Sequence, residues 1–116
     1  MVESYRDLKV WQRAIQMTLA VYRVTTGFPK EELFGLTDQV RRASVSVASN
    51  IAEGYGRGSK GEYKQFLGIA RGSNLEVQTQ LFLATELGFG DAGQLKAADG
   101  LSNEVSKMLD SLLAKL

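Results

Sequence analysis

Four stretches of the chain carry apolar residues at intervals of three and four, and glycine or proline separates each stretch from the next. This spacing lines one face of an α-helix, so it predicts four amphipathic helices. Helix-favouring residues are abundant and proline occurs once, which favours helices over strands. Because short connections make neighbouring helices run in opposite directions, we expect an all-α protein folded as an antiparallel up-and-down four-helix bundle.

The breaks between the stretches set the expected boundaries of the helices. They lie at roughly residues 7–26, 30–54, 60–88 and 91–116. A chain of 116 residues has the usual length of one domain. The sequence therefore predicts a single four-helix-bundle domain over residues 1–116.

Local signals mark two of the helix starts. Ser59 and Glu62 have the spacing of a capping box, so the third helix should begin at residue 60. Asp91 is placed to cap the fourth helix.

Gly68 and Gly72 lie inside the third helix, where a glycine costs roughly 1 kcal/mol relative to alanine. We expect that another helix crosses the third helix closely at these two glycines, which would explain why glycine is tolerated there.

The break before the third helix contains a literal match to G-x-G-x-x-G, from Gly56 to Gly61. In dinucleotide-binding domains this motif follows a strand and binds a pyrophosphate, whereas here it follows a predicted helix. A capped turn between two helices accounts for the glycines. The alternative is that free N–H groups at the start of the third helix, close to Lys60, hold a phosphate.

The chain contains no cysteine and no histidine. Their absence excludes disulfides, thiolate nucleophiles and zinc sites built on these ligands, and it removes the commonest general base. We therefore predict no catalytic residue, no metal site and no cofactor, and we expect a non-enzymatic protein. The remaining catalytic alternative is a carboxylate site that uses Glu53 or Glu76.

Positive charge is concentrated in one segment, although the net charge of the chain is only +1. Between Arg41 and Arg71, six basic side chains and two acidic ones give a net charge of +4. The six cations are Arg41, Arg42, Arg57, Lys60, Lys64 and Arg71. They form either a solvated helix face with a loop or a patch that binds an anion such as nucleic acid.

The second helix carries a polar stripe beside its apolar face. The stripe follows steps of three and four residues through Gln39, Arg42, Ser46, Asn50 and Glu53. We interpret Gln39, Asn50 and Glu53, together with Glu76 on the third helix, as a structural polar network. Where Arg42 or Glu53 is partly buried, Glu76 or Arg71 is the expected partner of its charge.

The apolar face of the second helix is wider than one neighbouring helix requires. Val45, Ala48 and Ala52 extend it onto an adjoining face. This width predicts burial on two sides, and we expect further copies of the chain to cover the second side.

Nothing in the sequence predicts a membrane segment. The longest stretch without a charged residue has ten residues, 43–52, about half of the length that a bilayer requires. Charged residues also interrupt the first residues of the chain, unlike the apolar region of a signal peptide. We therefore expect a cytoplasmic protein without membrane contacts.

Four motifs, spread over nearly the whole chain, resemble those of a known family. They are Asp7–Gln12, Gly35–Ala43, Ser49–Gly54 and Phe66–Ser73. They are similar to motifs of the bacterial four-helix-bundle proteins encoded in intervening sequences of 23S ribosomal RNA genes. That family in turn resembles the accessory variability protein of diversity-generating retroelements, a basic homopentamer that associates with a reverse transcriptase and nucleic acid.

The resemblance implies a non-enzymatic homo-oligomer, expected to be a ring of five subunits. The partners it implies are RNA or DNA, and a reverse transcriptase or another nucleic-acid-associated protein. Our first functional hypothesis is accordingly the binding of RNA, or of an RNA–protein partner, through the six cations. The alternative is a protein–protein adaptor or structural oligomer that binds no nucleic acid.

Overall fold

The computed structural model describes residues 2–116, and these residues form four α-helices. The helices are α1 (Lys9–Thr25), α2 (Leu36–Gly56), α3 (Lys60–Leu87) and α4 (Ala92–Lys115). Single 3-10 turns at Tyr5–Asp7 and Lys30–Glu32 precede α1 and α2. Met1, which the predicted domain includes, lies outside the described residues.

The helices form an antiparallel up-and-down bundle, as the sequence predicted. Helix α1 packs against α2 and α4, and α3 packs against the same two helices from the opposite corner. Each helix therefore contacts the helices next to it in the chain, and α4 closes the bundle against α1. The bundle measures 43 × 23 × 21 Å. One end carries the α1–α2 and α3–α4 connections, and the other end carries the α2–α3 connection.

The core is built from one apolar face of each helix. Met17, Val47, Val77 and Leu109, one from each helix, are all 0% exposed. Buried side chains recur at the predicted steps of three and four along each helix. On α1, however, the buried line is Val10, Ala14, Met17, Val21 and Val24, and the apolar line of Trp11, Ile15, Leu19 and Tyr22 is half-buried or exposed.

The second helix begins six residues later than the predicted start at residue 30. Pro29 has an extended backbone, with ψ of 140°, and the chain then makes only a 3-10 turn. The Glu32 carboxylate accepts a hydrogen bond from the Leu36 N–H at 3.0 Å, which satisfies a free donor at the true helix start. As a result, Leu33 is 51% exposed and Phe34 is 92% exposed. The helix also continues to Gly56, two residues beyond its predicted end.

The predicted N-caps Ser59 and Asp91 are confirmed, but the reciprocal half of the capping box is not formed, because the Glu62 carboxylate accepts from the Ser59 hydroxyl at 3.1 Å and not from the Ser59 backbone N–H. The Ser59 hydroxyl accepts a hydrogen bond from the Glu62 N–H at 3.2 Å, and α3 begins at Lys60. The Asp91 carboxylate accepts one from the Gln94 N–H at 2.8 Å. Both caps occupy free N–H groups in the first turn of their helix.

The prediction that two helices cross closely at Gly68 and Gly72 is wrong. Both glycines face open space, because a Cβ atom added at either position has no neighbour within 4 Å. The close approach is made by Gly54, where an added Cβ would lie 2.7 Å from the Phe66 Cβ and 3.3 Å from Tyr63 Cδ1. Gly54 is buried, and it lets the end of α2 contact the start of α3.

Candidate nucleic-acid interface

Within one protomer, the six cations do not form a single patch. Arg41 and Arg42 lie in the first half of α2, towards the end of the bundle that carries the α1–α2 connection. Arg57 and Lys60 flank the α2–α3 connection at the opposite end. The remaining two, Lys64 and Arg71, lie along α3.

The Arg41 side chain is half-buried and bound to α1. Its Nε donates a hydrogen bond to the buried Thr25 hydroxyl at 2.8 Å, and its guanidinium lies 4.7 Å from the centre of the Tyr22 ring. A cation over an aromatic face is favourable, and its strength grows as water is excluded. Arg41 therefore links α2 to α1.

Arg42, the next residue, is 80% exposed. Its Nε donates to both carboxylate oxygens of Asp38, at 2.9 and 3.1 Å. Asp38 lies one turn earlier on the same helix, so this is an exposed i,i+4 pair that contributes only a few tenths of a kcal/mol. The expected partner Glu76 is not used.

Arg57 lies between two carboxylates at the end of α2. Its Nε is 3.9 Å from Glu53 Oε2 and 3.8 Å from Glu62 Oε2, and its guanidinium lies 4.9 Å from the centre of the Phe66 ring. All three charged side chains are about half-exposed to solvent. The two carboxylates offset the charge of Arg57, which weakens its attraction for a phosphate.

Three cations follow one side of α3. Lys60, Lys64 and Arg71 are spaced by four and seven residues, so they lie on the same face over about 16 Å. All three are exposed. Arg71 Nε is 2.9 Å from Asp110 Oδ1 on α4, whereas neither lysine has an ion pair within residues 2–116. This set, which we call the α3 row, includes both exposed cations of the segment that have no ion pair among the described residues.

The four residues of the predicted polar network are not joined to one another by hydrogen bonds within residues 2–116. Gln39, Glu53 and Glu76 are exposed. Asn50 donates to the Ser46 carbonyl at 2.8 Å and to the Ser46 hydroxyl at 3.0 Å. The link from α2 to α3 then runs from the Ser46 hydroxyl to that of Ser73, 2.8 Å apart.

The main polar link between α3 and α4 was not foreseen. Asn74 and Ser102 are both 0% exposed. The Asn74 amide donates to the Ser102 carbonyl at 2.9 Å, and the Ser102 hydroxyl donates to the Asn74 carbonyl oxygen at 2.8 Å. The signal in the sequence was an asparagine on the apolar line of the third helix, because a buried polar side chain requires partners.

One titratable group near the α2–α3 connection is perturbed. Burial first, and then the neighbouring Tyr55 phenol, raises the pKa of the Tyr63 hydroxyl above its ordinary value. The two rings lie 6.1 Å apart. Both effects disfavour the charged phenolate, so the packing around Tyr63 accounts for its raised pKa.

Two features are absent from residues 2–116. No helix in this part of the chain has the length and apolar character needed to cross a membrane. Nor do three or more acidic side chains gather there in an arrangement that could hold a metal ion.

The family is decided by a match over most of the chain. Residues 6–111 match the model of the 23S rRNA-intervening sequence protein family. The chain belongs to this family. The resemblance of its motifs to these proteins is thereby confirmed.

A solved structure from the S23 ribosomal protein family has the same fold. The crystal structure of a protein of unknown function from the S23 ribosomal protein family, from Bacteroides thetaiotaomicron, superimposes with a TM-score of 0.82. The two sequences are 21% identical, and the match covers 90% of this chain and 95% of that one. A search of curated proteins gave no match. The 23S rRNA-intervening sequence family and its bundle are therefore established for this chain.

Proposed function

We propose that this 23S rRNA-intervening sequence protein is a non-enzymatic homo-oligomer of the cytoplasm that binds nucleic acid, in the first place RNA. The observation that carries the proposal is the α3 row. Lys60 and Lys64 are exposed without an ion pair among residues 2–116, and Arg71 extends the same face. Cations on one face of a helix suit the phosphates of a nucleic-acid backbone.

The ion pairs of the other cations are weak competitors for a phosphate. Arg71 and Asp110 are 54% and 56% exposed, and such pairs contribute about 0–1 kcal/mol. A phosphate can bind an arginine through two parallel hydrogen bonds, which is stronger than an exposed carboxylate pair. We expect Arg71, Arg42 and Arg57 to exchange partners when a polyanion approaches, whereas Arg41 stays bound to α1.

Assembly multiplies this charge. In the ring of five subunits that the sequence motifs imply, five segments of +4 would bring about +20 to one particle. Exposed apolar side chains support assembly, since Leu19, Leu75 and Phe82 are 49%, 51% and 63% exposed. The same motifs support a reverse transcriptase, or another nucleic-acid-associated protein, as the partner.

Binding should be tested by fluorescence anisotropy with a structured RNA and a DNA duplex of equal length. We expect affinity to fall steeply between about 50 and about 200 mM salt, as counterions are released. Lys60→Ala/Lys64→Ala should reduce the affinity and the salt slope. The matched control is Lys30→Ala/Lys96→Ala, which removes the same charge at the opposite end of the bundle. Absence of binding to both nucleic acids at low salt contradicts the proposal.

A protein–protein adaptor without nucleic acid is the second candidate. The pairing of Arg57 with Glu53 and Glu62 favours it, because it lowers the positive charge at the α2–α3 connection. A pull-down from cell extract distinguishes the two functions. A protein partner that survives nuclease and high salt supports the adaptor, whereas release by nuclease supports nucleic-acid binding.

A further inference from the structure

The connection between α1 and α2 presents an aromatic side chain to solvent. Phe34 is 92% exposed, which is unusual for a phenylalanine in a chain with a well-formed core. Glu31, three residues earlier, is also exposed, and Glu32 beside it is half-buried; with the exposed Lys30 before them, the turn Lys30–Glu32 carries one net negative charge. The tip of this connection, Glu31–Phe34, therefore combines an aromatic ring with acidic neighbours. We call it the acidic knob.

The acidic knob is held in one shape by its own hydrogen bonds. The Leu33 N–H donates to the Lys30 carbonyl at 3.1 Å, and the Gly35 N–H donates to the Glu32 carbonyl at 2.9 Å. The Glu32 carboxylate also binds the N–H of Leu36 at 3.0 Å, which ties the knob to the first turn of α2. A preorganised side chain loses little conformational freedom when it binds.

An apolar groove with a basic rim lies at the opposite end of the bundle. It is a cleft of about 400 Å³ between the start of α1 and the last turns of α4. Its apolar walls are Leu8, Val10, Met108 and Leu112, and its charged residues are Lys9, Lys107 and Lys115. Among residues 2–116, no carboxylate side chain lines it. We call it the basic groove.

We propose that the Phe34 ring of one copy fills the basic groove of a second copy, an inference that rests on the homo-oligomer of the proposed function. The ring would replace water against the apolar walls, and the lysines of the rim would face Glu31 and Glu32. Opposite charges around an apolar contact orient the partners and accelerate their encounter. The bundle is 43 Å long, so a knob at one end does not reach the groove of its own chain.

Another apolar cleft lacks this complementarity. The cleft beside Phe82 has a volume of about 300 Å³ and apolar walls that include Leu81 and Leu95. It is lined by one cation, Lys96, and one anion, Asp99, so its charges offset each other. An acidic knob gains no net attraction there, which leaves the basic groove as the better receptor.

The contact is heterologous, because two different surfaces meet. An open chain of copies keeps one free knob at one end and one free groove at the other until it closes on itself. Such contacts build a closed ring when the rotation between copies closes and an open filament when it does not, whereas a self-complementary patch would stop at a dimer. The proposed contact therefore provides the kind of interface that a five-subunit ring requires.

The knob is tested by Phe34→Ala, with molecular mass measured by sedimentation velocity at micromolar protein. We expect the substitution to raise the apparent dissociation constant of the oligomer by roughly tenfold or more, as for a central aromatic anchor. The matched control is Leu87→Ala, since this apolar side chain is 59% exposed at the same end of the bundle. An unchanged mass of the Phe34 variant, with wild-type protein oligomeric, overturns the contact and leaves the homo-oligomer standing.

A mixing experiment tests the heterologous geometry. Lys107→Glu/Ser111→Glu makes the groove acidic at two exposed positions and should abolish assembly by itself. Mixed one to one with Phe34→Ala, it should form a dimer and nothing larger, because one intact knob then meets one intact groove. Circular dichroism of each variant should match the wild type. A mixture that stays monomeric overturns the proposal, and a monomeric wild type overturns it together with the proposed homo-oligomer.

Discussion

Asn74 and Ser102 exchange two hydrogen bonds across the interface between α3 and α4, and neither residue has any exposed surface. The Asn74 amide nitrogen also lies 3.4 Å from the Ser106 hydroxyl, one turn further along α4. A buried amide in a bundle core fixes the register of two helices, because a shifted pairing leaves polar atoms without partners.

We expect Asn74→Ala to lower the free energy of unfolding by about 2–3 kcal/mol, because it leaves a cavity and an unpaired Ser102 hydroxyl. Urea denaturation followed by circular dichroism gives the value. A double-mutant cycle with Ser102→Ala should show a coupling of about 1 kcal/mol. Additive effects of the two substitutions would mean that the bond from the Ser102 hydroxyl to the Asn74 carbonyl oxygen does not stabilise the bundle.

Two adjacent arginines should respond differently to the same truncation. Arg41→Ala removes a charged hydrogen bond to a buried hydroxyl and the contact with Tyr22, so we expect a loss of about 1–2 kcal/mol. Arg42→Ala removes only an exposed pair, and its effect should stay within about 0.5 kcal/mol. Thermal denaturation of both variants compares them directly. Equal losses would show that Arg41 does not hold α2 to α1.

The helix ends that were predicted correctly depend on short-range signals. Ser59 and Asp91 cap groups three residues away, so the sequence contains all that the interaction needs. The predicted start of α2 was wrong. Pro29 is followed by a single 3-10 turn, and the Glu32 side chain caps the helix at its later start. Either arrangement satisfies the N–H groups after Pro29, and the sequence pattern does not choose between them.

The partners of the charged residues were less predictable, because they depend on the rotation of each helix. A partner on α3 was expected for Arg42 only if its side chain were partly buried, but it is 80% exposed and binds Asp38 on its own helix. Arg71 pairs with Asp110 on α4, a helix that the polar stripe did not involve. A shift of one helical face changes which neighbour a long side chain meets, and spacing alone does not fix that rotation.

Replacement by alanine should lower the free energy of unfolding at Gly54 and raise it at Gly72. At Gly54 the new methyl group would lie 2.7 Å from the Phe66 Cβ, so the crowding outweighs the better helix propensity of alanine. We expect a loss of about 1–2 kcal/mol of unfolding free energy. At Gly72 nothing lies within 4 Å, and Gly72→Ala should add about 0.5–1 kcal/mol. Urea denaturation measures both, and a stabilised Gly54 variant would contradict the close approach of α2 and α3.

The bundle should lose stability in alkaline solution through Tyr63. Its pKa is raised in the folded protein from the ordinary value of 10.0, by burial and then by Tyr55, so folding favours the protonated phenol. This contribution is fully present below pH 10 and is lost as the pH rises through the folded pKa. Between about pH 9 and about pH 11, the free energy of unfolding of Tyr63→Phe should therefore fall less than that of the wild type. Tyr22→Phe is the control, because this ring is 43% exposed and distant from the α2–α3 connection. Equal alkaline losses in wild type and Tyr63→Phe would show that the Tyr63 phenol is not held against ionisation by its surroundings.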